Sequence, residues 1–336
     1  MRSFVRRFPR GNERSSTRHS HSISPSRASN GPSDRSASME PMSSRVLVLG
    51  ATGMLGSTIV RRFHEAGFDV TATARRTADL PDGIALRTFD VEHDEIASIV
   101  ADFGVGDTVI NCIGVIRHLM KDDVVADRLR AIRVNAEFPY ALAAAAETQG
   151  FRVLQIATDC VYSGLEGAYD ETAVHDAYDV YGKTKSLGET PSPQVLHLRC
   201  SIIGTELGSA TSLLEWVRSQ PIGATLNGFT DHRWNGVTTD AFADVAVGLV
   251  RSGSTLSGVQ HLIPADALTK DELVQVIAEA FGRDDLDIRP VSTGTGVDRT
   301  LSTISPDISR QLWSDADYDH PPTIAEMVGA TATVHA

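Results

Sequence analysis

The chain has 336 residues, of which 41% are hydrophobic and 22% charged, a composition typical of a globular protein with one large or two smaller domains. No apolar run is long enough to span a membrane, which predicts a soluble protein without a membrane partner. The three cysteines, Cys112, Cys160 and Cys200, show no CxxC spacing, so the sequence favours neither a disulfide framework nor a structural zinc site. They are typical of reduced thiols in the cytoplasm.

Charge divides the chain into two parts. Residues 1–44 hold eight arginines against three acids, are rich in serine and lack aliphatic periodicity, so we expect a disordered tail. An organelle transit peptide is one alternative, and an upstream mis-assigned start, with Met39 or Met42 as the true one, is favoured over it. The remaining residues carry a net charge of −17, which repels phosphate and argues against a nucleic-acid partner. Only four lysines occur: Lys121, Lys183, Lys185 and Lys270.

From residue 45 onward, strands alternate with helices, which predicts a parallel sheet with crossover helices. Strands are predicted at 45–49, 69–74, 108–112, 151–157, 195–200 and 259–263. Helices are predicted at 55–66, 134–149, 183–187, 211–219, 238–251, 270–281 and 322–328. The pattern indicates an α/β fold: a doubly wound (Rossmann) domain over 45–205, with contributions from about 222–255, and a smaller, partly interleaved α/β region over 206–330.

A glycine-rich turn joins the first strand to the first helix. Gly50, Gly53 and Gly56 suit a tight turn, a close backbone approach to a pyrophosphate and close packing of helix on strand. The GxxGxxG spacing is one residue wider in its first gap than the common dinucleotide fingerprint, but the flanking strand and helix supply the required context. This turn predicts a nucleotide site.

The end of the second strand indicates which nucleotide is bound. Asp69 lies near the number of residues after the glycine turn at which an acid holds the ribose of NAD. It is the first residue of its strand, however, whereas that contact comes from the strand's carboxyl end. Arg75 and Arg76 lie at that end and suit a 2′-phosphate, so NADP is favoured and NAD left open. Asp90 and Val91 either hold the adenine edge or simply end a strand.

Tyr181 and Lys185 form a candidate catalytic pair in the sequence YGKTK. If the helix begins at or just before Tyr181, a spacing of four residues places both side chains on one face. A nearby ammonium stabilises a phenolate, so we expect Lys185 to lower the pKa of Tyr181 toward neutrality.

Polar residues at strand ends are candidates for the same crevice, because ligands of doubly wound sheets bind at the carboxyl ends of strands. Thr158 ends its strand 23 positions before Tyr181, with Asp159 beside it. Asn111 ends another strand and is a candidate cofactor contact. Asn135 is expected to be buried and to hydrogen-bond to the backbone.

The motifs GATGMLG, INCIG, VNAEFP, ATDCVYSG and YGKTK, in this order, resemble the extended short-chain dehydrogenase/reductase superfamily. TDCVYSG, YDE and YGKTKSLGE are most similar to its dTDP-4-dehydrorhamnose reductase branch, and the resemblance runs from about residue 45 to 328. It implies that Thr158, Tyr181 and Lys185 are catalytic, with Lys185 also on the nicotinamide ribose. It further implies cofactor pyrophosphate contacts at Gly50, Thr52, Gly53, Met54 and Leu55.

The implied activity is the NADPH-dependent reduction of a nucleotide-linked 4-keto-6-deoxysugar in deoxysugar and surface-polysaccharide biosynthesis. Ala157 and Cys160 depart from the branch, which often has serine and an aromatic there, so we expect a different substrate wall. Four residues are candidate substrate contacts because of their charge or stacking surface: Asp159, Arg199, Arg233 and Trp234. For the two arginines and the tryptophan, a surface or packing role is equally open.

Two other functions compete with the reductase. One is a non-catalytic NADP-binding regulatory subunit, because the branch resembles the regulatory subunit of methionine adenosyltransferase. The complete triad argues against this function. The other is a nucleotide-sugar epimerase or dehydratase, which the arginine pair and the lack of an acid directly after Asp159 disfavour. No metal is expected, and a homodimer is left open.

Overall fold

The computed structural model describes residues 44–206 and 212–335. The strands in these ranges are β1 (Arg45–Leu49), β2 (Asp69–Ala74), β3 (Ala85–Thr88), β4 (Thr108–Asn111), β5 (Arg152–Thr158), β6 (Val195–Cys200), β7 (Ile202–Ile203), β8 (Thr225–Phe229), β9 (His232–Trp234), β10 (Val237–Thr238), β11 (Gly258–His261), β12 (Leu268–Thr269), β13 (Asp287–Val291) and β14 (Val297–Asp298). The α-helices are α1 (Met54–Glu65), α2 (Ala97–Val100), α3 (Val125–Ile132), α4 (Phe138–Gln149), α5 (Val180–Leu187), α6 (Leu213–Arg218), α7 (Thr239–Arg251), α8 (Lys270–Ala280), α9 (Pro306–Asp315) and α10 (Ile324–Val334).

Seven strands form the central sheet in the order β11-β6-β5-β4-β1-β2-β3, and every neighbouring pair is parallel. The chain builds outward from β1 to β3, then returns to the other side of β1 and continues from β4 to β11. This reversal between β1 and β4 creates a crevice at the carboxyl ends of the strands, where ligands of such sheets bind. The predicted doubly wound α/β fold is confirmed.

Strand β1 lies at the centre and is buried on both faces. Val46 and Val48 point into one hydrophobic cluster, which includes residues of α1 and α7, whereas Leu47 and Leu49 point into a second cluster that includes residues of α4. All four side chains are fully buried. Continuous burial along a strand is what helices on both faces of a parallel sheet require.

Short strands build the smaller region beside the sheet. They pair as β7 with β10, β8 with β13, and β12-β9-β14, and α8 packs against α6 and α10. Strand β11, which the sequence placed in the smaller region, instead pairs with β6 and extends the central sheet. The described residues belong to one compact unit, and the limits of the two predicted regions stay a prediction.

Several helix bounds differ from those predicted. The helix predicted at 134–149 is a longer helical run, in which a π-helical turn at Arg133–Glu137 joins α3 to α4. Helix α5 begins at Val180, earlier than the predicted helical stretch at 183–187 but just before Tyr181, as the proposed pairing of Tyr181 with Lys185 requires, and α9 was not predicted. Apart from Ser44, the predicted disordered tail lies outside the described residues. Among the helices described, none is both long and apolar enough to cross a membrane.

Candidate active site

A cleft of about 750 Å³ lies at the carboxyl ends of the central strands, a volume suited to a cofactor with a substrate. Most of the predicted site residues line it: Gly50, Thr52, Gly53, Met54, Leu55, Arg75, Asp90, Val91, Thr158, Asp159, Tyr181, Lys185 and Trp234. Five others are not part of its lining: Gly56, Arg76, Asn111, Arg199 and Arg233.

The glycine turn forms one wall of the cleft. Gly50 has φ +82°, which favours glycine, and a Cβ at Gly56 would overlap the carbonyl oxygen of Gly50, so Gly56 acts by letting α1 pack against the turn. No side chain caps α1 at Gly53. Backbone N–H groups of the first helical turn therefore face the cleft and suit an anion such as a diphosphate.

Arg75 lies just beyond β2, is exposed, and makes no hydrogen bond or ion pair with any residue that the structure describes. Its guanidinium is free to bind an anion. Arg76 is also exposed but lies off the cleft. Asp90 accepts a hydrogen bond from the backbone N–H of Glu92 at 3.0 Å, and this bond, helped by His93, lowers the pKa of the carboxyl group.

Helix α5 is held close to the end of β5. Asp179 caps its N-terminus by accepting a hydrogen bond from the backbone N–H of Gly182 at 2.7 Å. A Cβ at Gly182 would overlap the carbonyl oxygen of Cys160, so only glycine permits this approach. The early start of α5 places Tyr181 in its first turn, next to the loop that follows Thr158. Sequence reasoning missed the role of Gly182, although it stands inside the YGKTK motif.

Thr158, Tyr181 and Lys185 lie on one wall of the cleft. The Thr158 hydroxyl accepts a hydrogen bond from the backbone N–H of Cys160 at 3.2 Å and donates one to Asp159 at 3.3 Å. The Lys185 ammonium donates to the carbonyl oxygen of Ile156 at 3.0 Å, which anchors α5 to β5. The hydroxyl, the phenol and the ammonium are thus brought together, as the spacing predicted.

The protonation of this group differs from the prediction for Tyr181. Burial raises the pKa of the phenol above its ordinary value, the negative charge of Asp159 adds to this, and the interaction with the Thr158 hydroxyl opposes it. Loss of hydration of the phenolate is therefore the dominant effect, and the phenol is protonated at neutral pH. Burial also lowers the pKa of Lys185 to about 8, against the opposing charge of Glu189.

Two predicted contacts turn away from the cleft into the protein. The side chain of Asn111 is fully buried, donates to Gln155 at 2.8 Å and accepts from the backbone N–H of Ile113 at 3.0 Å, so it joins β4 to β5. Arg199 is 1% exposed and donates two hydrogen bonds to Glu189, at 3.2 and 2.6 Å. All five N–H groups of Arg199 have partners, on Glu189, Tyr162, His175 and His261. Neither side chain lines the cleft, so this structure offers no support for the predicted cofactor contact at Asn111 or the predicted substrate contact at Arg199.

Arg233 lies outside the cleft. Its guanidinium is half exposed and lies 3.7 Å from the carboxylate of Asp298, so the predicted contact with a substrate diphosphate is not supported at this position. Asn135 is buried and forms the expected backbone bonds, both at 2.9 Å and both to Val115. Its amide also donates to Thr184 of α5 at 3.2 Å, so the π-helical turn helps to position α5.

Lys270 and the cysteines are further residues of the cleft. Lys270, the first residue of α8, lines the cleft beside Trp234. The sequence analysis did not predict it as a site residue, and the only hint in the sequence is that the chain has just four lysines. Cys112, Cys160 and Cys200 are free thiols at the ends of β4, β5 and β6, and all three line the cleft. Burial raises the pKa of the first two to about 12, so their thiols are protonated and poorly nucleophilic.

Comparison with known proteins gives consistent matches. The family model for the RmlD substrate binding domain matches residues 44–301. A curated relative named dTDP-4-keto-6-deoxy-D-glucose reductase, from Streptomyces niveus, is 28% identical over 256 residues, which cover 74% of this chain and 83% of the relative. Methionine adenosyltransferase 2 subunit beta from Danio rerio is 25% identical over 270 residues, 76% of this chain and 80% of that protein.

Solved structures share the fold. The dTDP-4-dehydrorhamnose reductase of Bacillus anthracis strain Ames, solved in complex with NADP, has a TM-score of 0.67 at 17% sequence identity, covering 88% of this chain and 100% of that one. At this identity the likeness concerns the fold alone.

Proposed function

The chain belongs to the RmlD substrate-binding domain family, and from this premise we propose that it is an NADPH-dependent reductase of a nucleotide-linked 4-keto-6-deoxysugar. One observation carries the proposal: a hydroxyl, a protonated phenol and an ammonium, from Thr158, Tyr181 and Lys185, share a cleft with an uncapped, glycine-rich helix N-terminus. The relatives named as reductases of dTDP-linked keto sugars support the substrate class.

The described residues fit NADP. The free N–H groups of α1 would hold the diphosphate, the unpaired guanidinium of Arg75 would bind the 2′-phosphate, and Asp90 would accept from the adenine amino group. The Lys185 ammonium would contact the nicotinamide ribose. When bound, NADPH supplies the hydride that reduces the keto carbon.

Chain residues supply the proton and stabilise the developing charge. The protonated phenol of Tyr181 donates its proton to the carbonyl oxygen as that oxygen becomes an alkoxide, which completes the conversion of ketone to alcohol. The Thr158 hydroxyl donates a hydrogen bond to the same oxygen. Lys185 balances the phenolate left on Tyr181, and the burial that raises the phenol's pKa keeps the donor protonated between turnovers.

We also propose a cytoplasmic location, because free thiols such as the three in this chain are typical of a reducing compartment. A homodimer remains a prediction. A non-catalytic, NADP-binding regulatory subunit is the second candidate, because the relative from Danio rerio is the beta subunit of a methionine adenosyltransferase. The complete triad favours the enzyme.

Oxidation of NADPH, followed optically, tests the proposal. The substrates are 4-keto-6-deoxysugars linked to dTDP and to other nucleotides, each freshly made by a dehydratase. Tyr181→Phe is expected to lower turnover at least about 100-fold by removing the proton donor, whereas Tyr140→Phe, at an exposed tyrosine of α4, leaves it unchanged. Binding of NADP without oxidation across the panel would favour the regulatory subunit, and full turnover by Tyr181→Phe would refute the mechanism.

A further inference from the structure

Lys270 carries an unpartnered positive charge into the cleft. Its side chain is half buried, and its ammonium makes no hydrogen bond or ion pair with any residue in the described part of the chain. The ammonium lies over the ring of Trp234, whose centroid is 5.2 Å from the nitrogen. Burial lowers the pKa of this ammonium to about 8, which records the loss of hydration. A partly desolvated cation with three unused donors is unfavourable unless a ligand or water accepts from it.

The charge of Lys270 acts at the reacting end of the cleft. The carboxylate whose charge acts on it most strongly is that of Asp159, which directly follows Thr158. Asp159 is 7% exposed and forms no ion pair with a residue in the described chain; it accepts a hydrogen bond from the Thr158 hydroxyl at 3.3 Å and interacts with the Cys160 thiol. Burial raises the pKa of its carboxyl group, and the positive charges of Arg299 and Lys270 oppose this. A donor with free hydrogens and an acceptor with unused lone pairs therefore line the same cleft as the Thr158 hydroxyl.

This combination suits a sugar ring better than a diphosphate. The Asp159 carboxylate beside Lys270 would repel a second anion, whereas sugar hydroxyls both donate and accept and can satisfy the two groups together. Trp234 also lines the cleft, but it is only 4% exposed, so its contact with the Lys270 ammonium matters more than any surface that it offers to a ligand. The reacting carbonyl must also lie near Thr158 and Tyr181, which brings the hexose to this position.

We propose that Lys270 and Asp159 form a hexose subsite. The ammonium donates to, and the carboxylate accepts from, hydroxyl groups on ring carbons near the reacting carbonyl. Lys270 is then a specificity residue for the sugar rather than for the nucleotide. The inference rests on the proposed function for its substrate class.

Calorimetric binding to the protein saturated with NADP⁺ separates sugar from nucleotide. The probes are dTDP and dTDP-glucose, and UDP and UDP-glucose, none of which can be reduced. Lys270→Met keeps the side-chain stem and leaves the Thr269–Glu272 capping box of α8 in place. It is expected to raise Kd for the nucleotide sugar about 10-fold or more and to leave Kd for the matching nucleotide unchanged. Lys270→Arg, which keeps the charge, is expected to restore part of the affinity.

Lys183→Met is the matched control, because Lys183 also lies over an aromatic ring, that of Tyr178 at 6.0 Å, but on the exposed surface. Both Kd values should stay as in the wild type, and NADPH should bind all variants equally. An equal rise for nucleotide and nucleotide sugar in Lys270→Met would assign Lys270 to the diphosphate and overturn the subsite, as would no change.

The two proposals fail in distinguishable ways. If the wild type binds the nucleotide sugars, Lys270→Met raises their Kd as expected, and no keto sugar is reduced, the subsite is supported and the reductase function is refuted. If the wild type binds neither nucleotide sugar, both the proposed substrate class and the proposed subsite are refuted.

Discussion

Replacing Glu189 by glutamine should strongly destabilise the protein, because Glu189 neutralises a buried arginine. The guanidinium of Arg199 is 1% exposed and the carboxylate of Glu189 11%, and they share hydrogen bonds of 3.2 and 2.6 Å. Arg199 also donates to the Tyr162 hydroxyl at 2.7 Å, so it cannot turn toward solvent without breaking further buried bonds. Glu189→Gln keeps the shape but leaves the cation without its counter-charge.

Breaking a buried ion pair on one side costs about 3–5 kcal/mol. Folded domains are stable by only about 5–15 kcal/mol, so the variant should lose a large part of the free energy of unfolding. At roughly 2 °C per kcal/mol for a chain of this size, the thermal midpoint should fall by about 6–10 °C. Thermal unfolding followed by far-ultraviolet circular dichroism measures this.

Glu65→Gln is the control for Glu189→Gln, because its carboxylate is 50% exposed and pairs with Arg61 at 3.3 Å on the surface of α1. Exposed pairs of this spacing contribute about 0.3–0.5 kcal/mol, so its midpoint should barely move. A loss below about 1 kcal/mol in Glu189→Gln, or one equal to that of Glu65→Gln, would refute the argument from burial. Because Glu189 is also the leading charge that raises the pKa of Lys185, the variant should lose activity at a lower pH than the wild type.

Three further predictions concern the cofactor wall and the cleft cations. Arg75→Ala should reduce the preference for NADPH over NADH, measured as the ratio of kcat/KM values, by about 10-fold or more, since a charged hydrogen bond to phosphate is lost; an unchanged ratio would exclude Arg75 as the 2′-phosphate contact. Gly56→Ala should lower both the thermal midpoint and the affinity for NADPH, because its methyl group overlaps the Gly50 carbonyl; unchanged values of both would show that the turn adapts. kcat/KM should fall as pH rises through about 8, where Lys185 and Lys270 lose their charge, and a flat profile to pH 10 would contradict this. Both lysines have folded-state pKa values of about 8, below the ordinary 10.5. Between pH 8 and 10.5 the unfolded chain therefore binds more protons than the folded chain. The contribution of the two lysines to the free energy of unfolding rises with pH in this range.

The parts of this protein that local chain geometry dictates were readable from the residues. The run from Arg45 through the glycine turn into α1 predicts a strand, a turn and a helix, because side-chain periodicity and glycine spacing act within a few residues. The pairing of Tyr181 with Lys185 follows from one turn of helix, and the position of Thr158 from its place at the end of a strand. The strand–turn–helix start of the fold and the predicted catalytic group are therefore properties of local pattern.

Only the tertiary structure decided which polar residues at the strand ends reach the cleft. Asn111 and Thr158 both end parallel strands, yet the first turns into the sheet toward Gln155 and the second faces the cleft. Arg199 is drawn inward by Glu189, ten positions earlier and beyond the end of α5, and Lys270 reaches the cleft from the smaller region. Burial and pairing of charge depend on elements that are distant in sequence, so the residue types alone could not distinguish an arginine bound to the core from a lysine left open for a ligand.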